Sequence, residues 1–291
     1  MSFNYKNQYE KYVNIFEIEL NKAFETICAP EVLKDSMKYA ISDGGKRVRP
    51  VLALSTADML GIELNSILPF TVAIECIHSY SLVHDDLPSM DNDDYRRGKL
   101  STHKKFGEAQ GILTGDALLN FAFEYVLNKE NFTLKDGKAL SLLAKFSGSS
   151  GMVGGQVLDL TNEKSSNVSE KILYEIYTNK TAKLIMAPIL IASVLADKKH
   201  FDSLQEYGLN LGYLFQISDD ILDVEGSLKE IGKTPNKDAD SDKLSAIKVF
   251  GINGAKNKKL IHYNKCIEQL NKINNNEFLL ALTKNMYERT K

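Results

Sequence analysis

An apolar run over residues 67–83 stops abruptly in carboxylates, His84-Asp85-Asp86-Leu87-Pro88-Ser89-Met90-Asp91. A second apolar run ends the same way, at Ser218-Asp219-Asp220-Ile221-Leu222-Asp223. Ionised carboxylates at the inner end of an apolar helix are costly to desolvate unless a cation lies between them. The chain must therefore fold so that something positive reaches both places, and a hard divalent metal bound by oxygen is the first expectation.

Nearly every other segment carries helical spacing, and none alternates convincingly as a strand does. Tyr12, Ile15, Phe16, Ile18 and Leu20 begin an amphipathic helix that ends before Pro30. A second helix over 32–41 is stopped by Asp43-Gly44-Gly45, and a third over 51–60 has Arg49-Pro50 at its start, where proline is tolerated. Pro69 suits the first turn of the long helix that leads to Asp85. Further helices are expected over 108–127, 169–195 and 201–224, with two or three more finishing the chain. Gly148, Gly151, Gly154 and Gly155 crowd one stretch, a density that suits close approach to another helix or a ligand. Residues 226–245 are rich in turn formers directly after the second acidic cluster, the place for a lid. No linker separates two halves, so residues 1–291 are read as one all-α domain.

Positive and negative side chains nearly cancel, to a net charge of −2, which points to no nucleic acid and no polybasic membrane patch. Three cysteines without paired spacing argue against a disulfide framework or a zinc site and suit a reducing cytoplasm. The N-terminal stretch carries charges throughout and lacks a signal-peptide core. The most apolar window, 184–196, is short of the roughly 20 residues needed to span a bilayer, so no membrane span is expected.

Asp219 and Asp223, spaced i, i+4, share a helix face with Asp220 beside them. Asp85 and Asp91 are less regular, because six residues turn an ideal helix by about 240°. Pro88 must bend the chain for the two to act together. An EF-hand beginning at Asp238 fails, since Lys243 stands at its glycine and Val249 at its glutamate. A di-iron bundle fails as well, because Glu75-Cys76-Ile77-His78 has no second copy. Oxygen donors favour Mg²⁺, which keeps waters and bridges substrate phosphates, so the substrate is expected to be phosphorylated. Gly44-Gly45-Lys46-Arg47-Val48-Arg49-Pro50 puts three cations at a helix start, and Arg96 and Arg97 follow the first acids. Lys180, Lys183 and Lys233 flank the second half.

These stretches together resemble the trans-prenyltransferases, the isoprenyl diphosphate synthases. The motifs are Gly-Gly-Lys-Arg-Val-Arg-Pro at 44–50, Asp-Asp-Leu-Pro-Ser-Met-Asp at 85–91 with Arg-Arg-Gly at 96–98, and Phe-Gln-Ile-Ser-Asp-Asp-Ile-Leu-Asp at 215–223. The longer first motif is similar to that of bacterial farnesyl diphosphate synthases. The resemblance implies an all-α bundle around a deep central cavity, the isoprenoid synthase fold, usually as a homodimer. It implies three Mg²⁺ ions held by Asp85, Asp86, Asp91, Asp219, Asp220 and Asp223. Arg96, Lys180 and Lys233 would bind the allylic diphosphate, and Lys46, Arg49, His78 and Arg97 isopentenyl diphosphate. Lys180, Thr181 and Gln216 would be catalytic. Gly155-Gln156 and Asp159 match a further motif. Tyr80 and Ser81 would set chain length, Tyr80 standing about 7.5 Å before Asp85 along the helix. One departure is the stretch Asp242-Lys243-Leu244-Ser245, where relatives carry Gly-Lys-Ser/Thr-Thr.

The chemistry implied is ionisation, condensation and elimination to farnesyl diphosphate, with no protein nucleophile. A geranylgeranyl diphosphate synthase is the near alternative. A terpene cyclase would not need Lys46, Arg49 and His78, and a non-catalytic helical subunit of a synthase complex would be expected to have lost one acidic motif.

Overall fold

The computed structural model describes residues 3–42, 45–163, 169–229 and 244–289, with the side chains of 226–229 left aside. Lys233, Lys243 and most of the expected lid lie outside the described residues. The described chain is a helical assembly: α1 Tyr5–Glu25, α2 Glu31–Ile41, α3 Val48–Leu60 and α4 Leu64–Asp85, then α5 Thr102–Phe106, α6 Glu108–Leu127, α7 Leu134–Ser147 and α8 Met152–Asn162. It continues through α9 Glu170–Ile176, a π-helical turn Tyr177–Ala182, α10 Lys183–Leu195, α11 Phe201–Lys229, α12 Ala246–Leu270 and α13 Glu277–Tyr287.

Helix boundaries follow local chemistry. Asn4 caps α1 by accepting from the Asn7 amide, and Thr133 with Asp136 forms a reciprocal capping box at α7. Gly61 ends α3 at φ 76°, a left-handed conformation that costs glycine nothing. α12 kinks at Gly251, where φ is 67°. A large core joins α1, α3, α4, α6, α7, α10 and α11, with Phe16, Phe70, Leu118 and Tyr207 fully enclosed. A smaller one forms around Leu173, Tyr177, Ile217 and Ala246, behind the second acidic cluster.

Four expectations change. Pro69 lies in the second turn of α4 rather than the first, because the helix starts earlier, at Leu64. α3 likewise starts at Val48, which puts Pro50 in its first turn. Arg96-Arg97-Gly98 does not open a plain loop. It forms a two-stranded hairpin with Arg96 paired to Lys99, turned by Arg97 at φ 51° and Gly98 at φ 81°. Two consecutive positive φ values are those of the tight turn that matches strand twist, and two residues are too few for hydrophobic alternation to reveal a strand. Finally, α4, and not the 184–196 window, is long and apolar enough to cross a membrane by length and composition. Its apolar residues are packed inside the protein, 67% of the relevant window being buried.

Candidate active site

The first acidic cluster is shaped by the end of α4. The helix stops at Asp85 instead of bending at Pro88, and the chain folds back so that the Asp91 amide donates to the Asp85 carbonyl at 2.9 Å. Pro88 sits in the exposed turn between them. The two carboxylates of the awkward six-residue spacing thus become neighbours. Desolvation pushes the Asp85 carboxyl up to about 6, Lys180 opposes that shift, and Asp91 adds to it. Asp86 behaves differently. It is buried, and both its oxygens accept from the Arg96 guanidinium, Oδ1 from Nε at 3.0 Å.

At the second cluster the roles divide in the same way. Asp220 is buried, its Oδ2 accepting from the Tyr177 hydroxyl and the Ala246 amide (2.6 Å) and its Oδ1 from Gln216 Nε2 (3.1 Å). Asp219 is only partly buried and pairs with the Arg289 guanidinium at 2.8 Å, from just beyond α13. Desolvation raises the Asp219 carboxyl, and Arg289 opposes the rise. Asp223 is exposed one turn further on.

The π-helical turn links the two ends. It carries Lys180 and Thr181, and widening the helix there lets α8 lie against it. A Cβ on Gly155 would stand 2.2 Å from the Lys180 backbone nitrogen, so only glycine fits. Lys180 Nζ donates to Asp159 at 2.5 Å while acting on Asp85, and Asp159 in turn raises the Asp220 carboxyl after desolvation and three opposing hydrogen bonds. Thr181 Oγ1 donates to Gln216 Oε1 at 2.8 Å. Asp85, Lys180, Thr181, Gln216 and Asp220 are therefore joined in one run of contacts.

Cations gather on its other side. Gly45 packs against Arg97, whose Nη1 lies 2.6 Å from where a Cβ would be. Arg49 reaches in from α3 with its Nε buried and without a hydrogen-bond partner. Its guanidinium pKa is lowered to about 10, chiefly by desolvation; Glu75 and Asp219 oppose this and Arg97 adds to it. His78 is held well below its ordinary value by desolvation and by Arg49, Arg97, Arg96 and Arg47, so its imidazole is neutral. Lys46 senses both Arg289 and Asp219. Arg47, the third cation of the motif, is not in this group: it points into the protein. A side chamber of 580 Å³ opens past Lys46 and Arg289, lined also by Tyr5, Phe215 and Met286, and neither Asp85 nor Lys180 reaches it. Tyr80 is buried beside the first cluster, and burial with Asp85 nearby pushes its hydroxyl up to about 12. Ser81 spends its hydroxyl on the His78 carbonyl at 2.9 Å.

Sequence reading missed Asp86–Arg96, Asp220–Tyr177–Ala246 and Arg289–Asp219. Each joins residues far apart in the chain or across a turn, where spacing carries no signal.

The polyprenyl synthetase family model matches residues 30–281. The farnesyl diphosphate synthase of Micrococcus luteus is 44% identical over 265 residues, 89% of this chain and 90% of that protein. Among solved structures, the geranyltransferase of Legionella pneumophila superposes with a TM-score of 0.87 at 33% identity, over 98% of this chain and 97% of that one. A geranyltransferase of Helicobacter pylori, complexed with magnesium and isoprenyl diphosphate, gives 0.86 at 29% identity over 99% of both chains. An acidic helix end on α4, an acidic stretch within α11, a lysine between them and a crowd of arginines around a neutral histidine thus stand on the isoprenoid synthase fold, and the chain belongs to the polyprenyl synthetase family as a prenyltransferase of the farnesyl diphosphate synthase type.

Proposed function

We propose that the chain condenses isopentenyl diphosphate with dimethylallyl and then geranyl diphosphate to give farnesyl diphosphate, in the space bordered by Asp85, Lys180, Thr181 and Gln216. The observation that carries this reading is the charge arrangement: Arg49 and Arg97 crowd a neutral His78 on one side while Asp85 and Asp219 hold desolvated carboxylates on the other.

Magnesium fits the acidic side. Asp85 and Asp91 are adjacent oxygen donors, and the Asp85 carboxyl is raised chiefly by desolvation, a cost that a bound cation would offset. Among the described residues no three His, Cys, Asp or Glu side chains converge on one point. Asp85, Asp91 and Asp219 are the ligands we assign, with Asp223 beside them; Asp86 and Asp220, whose oxygens are taken by Arg96 and by Tyr177 and Ala246, hold the others in place. Bound there, magnesium is a Lewis acid for the negative charge of the departing diphosphate.

The protein's own groups do the rest. Lys180 adds a positive charge beside the allylic diphosphate, and Arg96 stays close enough to lower Asp85. Lys46, Arg49 and Arg97 bind isopentenyl diphosphate, and His78, being neutral, offers a hydrogen bond without adding charge. The allylic C–O bond breaks, the double bond of isopentenyl diphosphate attacks the cation, and a proton leaves to the released diphosphate. Thr181 and Gln216 present oxygens to the cation, and holding both substrates side by side makes the attack effectively unimolecular.

Tyr80 forms the floor that stops growth at fifteen carbons. Exposed apolar residues at Val153, Val157 and Leu160, spaced i, i+4, i+7 on α8, and at Ile112, Leu113 and Leu127 on α6 suit burial in a homodimer. Light scattering that returned a monomer mass would overturn that assignment. The unpaired Cys28, exposed, and the buried Cys76 and Cys266 suit a cytoplasmic setting.

The deciding experiment incubates purified protein with dimethylallyl and isopentenyl diphosphates and Mg²⁺ and separates the products by chromatography. A C15 product is expected. No condensation product would sink the reading, a C20 product would make the chain a geranylgeranyl diphosphate synthase, and Tyr80→Ala that still stopped at C15 would remove the floor.

A further inference from the structure

We propose that Arg47 is the positioning residue of the isopentenyl diphosphate subsite, an inference that rests on the assignment of Lys46, Arg49, Arg97 and His78 to that substrate. Arg47 is 5% exposed and cannot meet a ligand. Its guanidinium donates in three directions: Nε to Glu17 Oε1 on α1 at 2.7 Å, Nη1 to Glu75 Oε1 on α4 at 2.9 Å, and Nη2 to the Ile41 carbonyl at the end of α2 at 2.9 Å. The Phe16 ring lies 5.4 Å below it. One planar fork thus ties three helices to the start of α3, which a lysine cannot do.

The tie is needed because the turn does not hold itself. Gly45 has φ 94°, and Arg47, the residue before α3, is left-handed at φ 47°, ψ 36°. A non-glycine residue in that region is strained and persists only where its surroundings impose it. Lys46 immediately precedes Arg47 and Arg49 follows two residues later, so the direction of both cations depends on that conformation. The Lys46 carbonyl is held as well, by the Tyr9 hydroxyl.

Glu75 gives the anchor its second effect. It lies three residues before His78 on α4, and its carboxylate raises Arg49 against the opposing pull of desolvation and Arg97. The same buried carboxylate that orients Arg47 therefore also offsets part of the positive field around the subsite. Geometry and charge at Lys46, Arg49 and His78 are set together by one ion pair that touches no substrate.

Steady-state kinetics with isopentenyl and geranyl diphosphates varied separately tests this. Arg47→Met/Glu75→Gln removes the pair without leaving a buried charge alone, and Arg47→Lys keeps the charge but not the fork. The double variant is expected to raise KM for isopentenyl diphosphate roughly 10- to 30-fold and Arg47→Lys roughly 5-fold, the scale of about one hydrogen bond. KM for geranyl diphosphate should stay within about twofold and saturated kcat within about threefold, because the other subsite is untouched. An unchanged KM for isopentenyl diphosphate in Arg47→Lys, or equal increases in both KM values, would overturn the proposal, and Arg47→Lys gives that answer even if the double variant does not fold. Lys46→Ala separates the two levels. If it raises KM for isopentenyl diphosphate while the Arg47 variants do not, positioning by Arg47 fails and the subsite stands; if Lys46→Ala itself leaves that KM unchanged, the subsite assignment fails and this inference with it.

Discussion

The two acidic ends use the same dipeptide and support it by opposite means. In both, the second aspartate is buried with its oxygens taken by the protein, and the first is only partly buried, Asp219 pairing with Arg289. Asp86 is held by a permanent cation, Arg96, at the end of a finished helix. Asp220 is held by neutral donors, Tyr177, Gln216 and the Ala246 amide, in the course of a helix that continues to Lys229. Adjacent residues on a helix point about 100° apart, so an Asp-Asp pair can serve the fold with one member and the ligand with the other. The difference lies in what each support responds to: an ion pair weakens with salt, and a network of neutral donors does not.

The comparison breaks first if the two members of each pair are not divided in role. Asp85→Asn and Asp219→Asn should each lower kcat by about 100- to 1,000-fold, the scale on which one preorganised electrostatic partner acts, while leaving thermal stability within a few degrees. Asp220→Asn should do the reverse in proportion, costing about 1–3 kcal/mol of stability because Tyr177 and the Ala246 amide compete for one remaining oxygen acceptor. Kinetics and denaturant titration of the three variants side by side check this. An Asp220→Asn protein of native stability with the kinetic defect of Asp219→Asn would abolish the division.

Arg96→Met sharpens the first half. It leaves the Asp86 carboxylate buried without its cation, at a cost of about 3 kcal/mol, the low end of the range for breaking a buried pair because Arg96 itself is partly exposed. Denaturant midpoints in low and high salt measure it. The wild-type protein should lose more stability to salt than Arg96→Met does, since only the former has the ion pair to screen.

These supports mark where the sequence could be read and where it could not. The helices were legible because an apolar stripe repeats within each of them, and α6 runs over the very residues its periodicity predicts, Glu108–Leu127. Asp85 and Asp219 stood out because charge in apolar company demands a partner, and Lys46 because cations gather at a glycine-started helix entry, whereas His78 was singled out only through the family resemblance. That Arg47 turns inward while Arg49 turns toward the subsite was not legible, since three cations in five residues look alike until Glu17 and Glu75 arrive from other helices. The hairpin at Arg96 and the π-helical turn at Lys180 were hidden for a similar reason. Both are shorter than the period that would betray them, and tertiary contacts, Asp86 in one case and Gly155 in the other, hold them.

The smallest effect concerns the second end alone. Behind the π-helical turn, His262 is buried with Nε2 toward the Tyr174 hydroxyl at 2.8 Å and Nδ1 toward Asn210 Oδ1 at 2.9 Å. Tyr213 packs edge-on against it and hydrogen-bonds Thr178 of the turn. Burial pushes the imidazole down to about 4, with Lys265 and Lys258 adding to the shift and Glu170 opposing it. The folded protein therefore keeps His262 neutral where the unfolded chain, near 6.5, takes up a proton. Stability from this group is complete above about pH 6.5 and is lost as the pH falls toward 4, by up to about 2 kcal/mol between pH 7.5 and pH 5. His262→Gln should flatten that part of the stability–pH profile in urea titrations and leave the salt response of the Asp86–Arg96 end as it was. If the slope between pH 7.5 and 5 survives the substitution, neutral support of the second end does not depend on His262, and the contrast between the two ends reduces to salt alone.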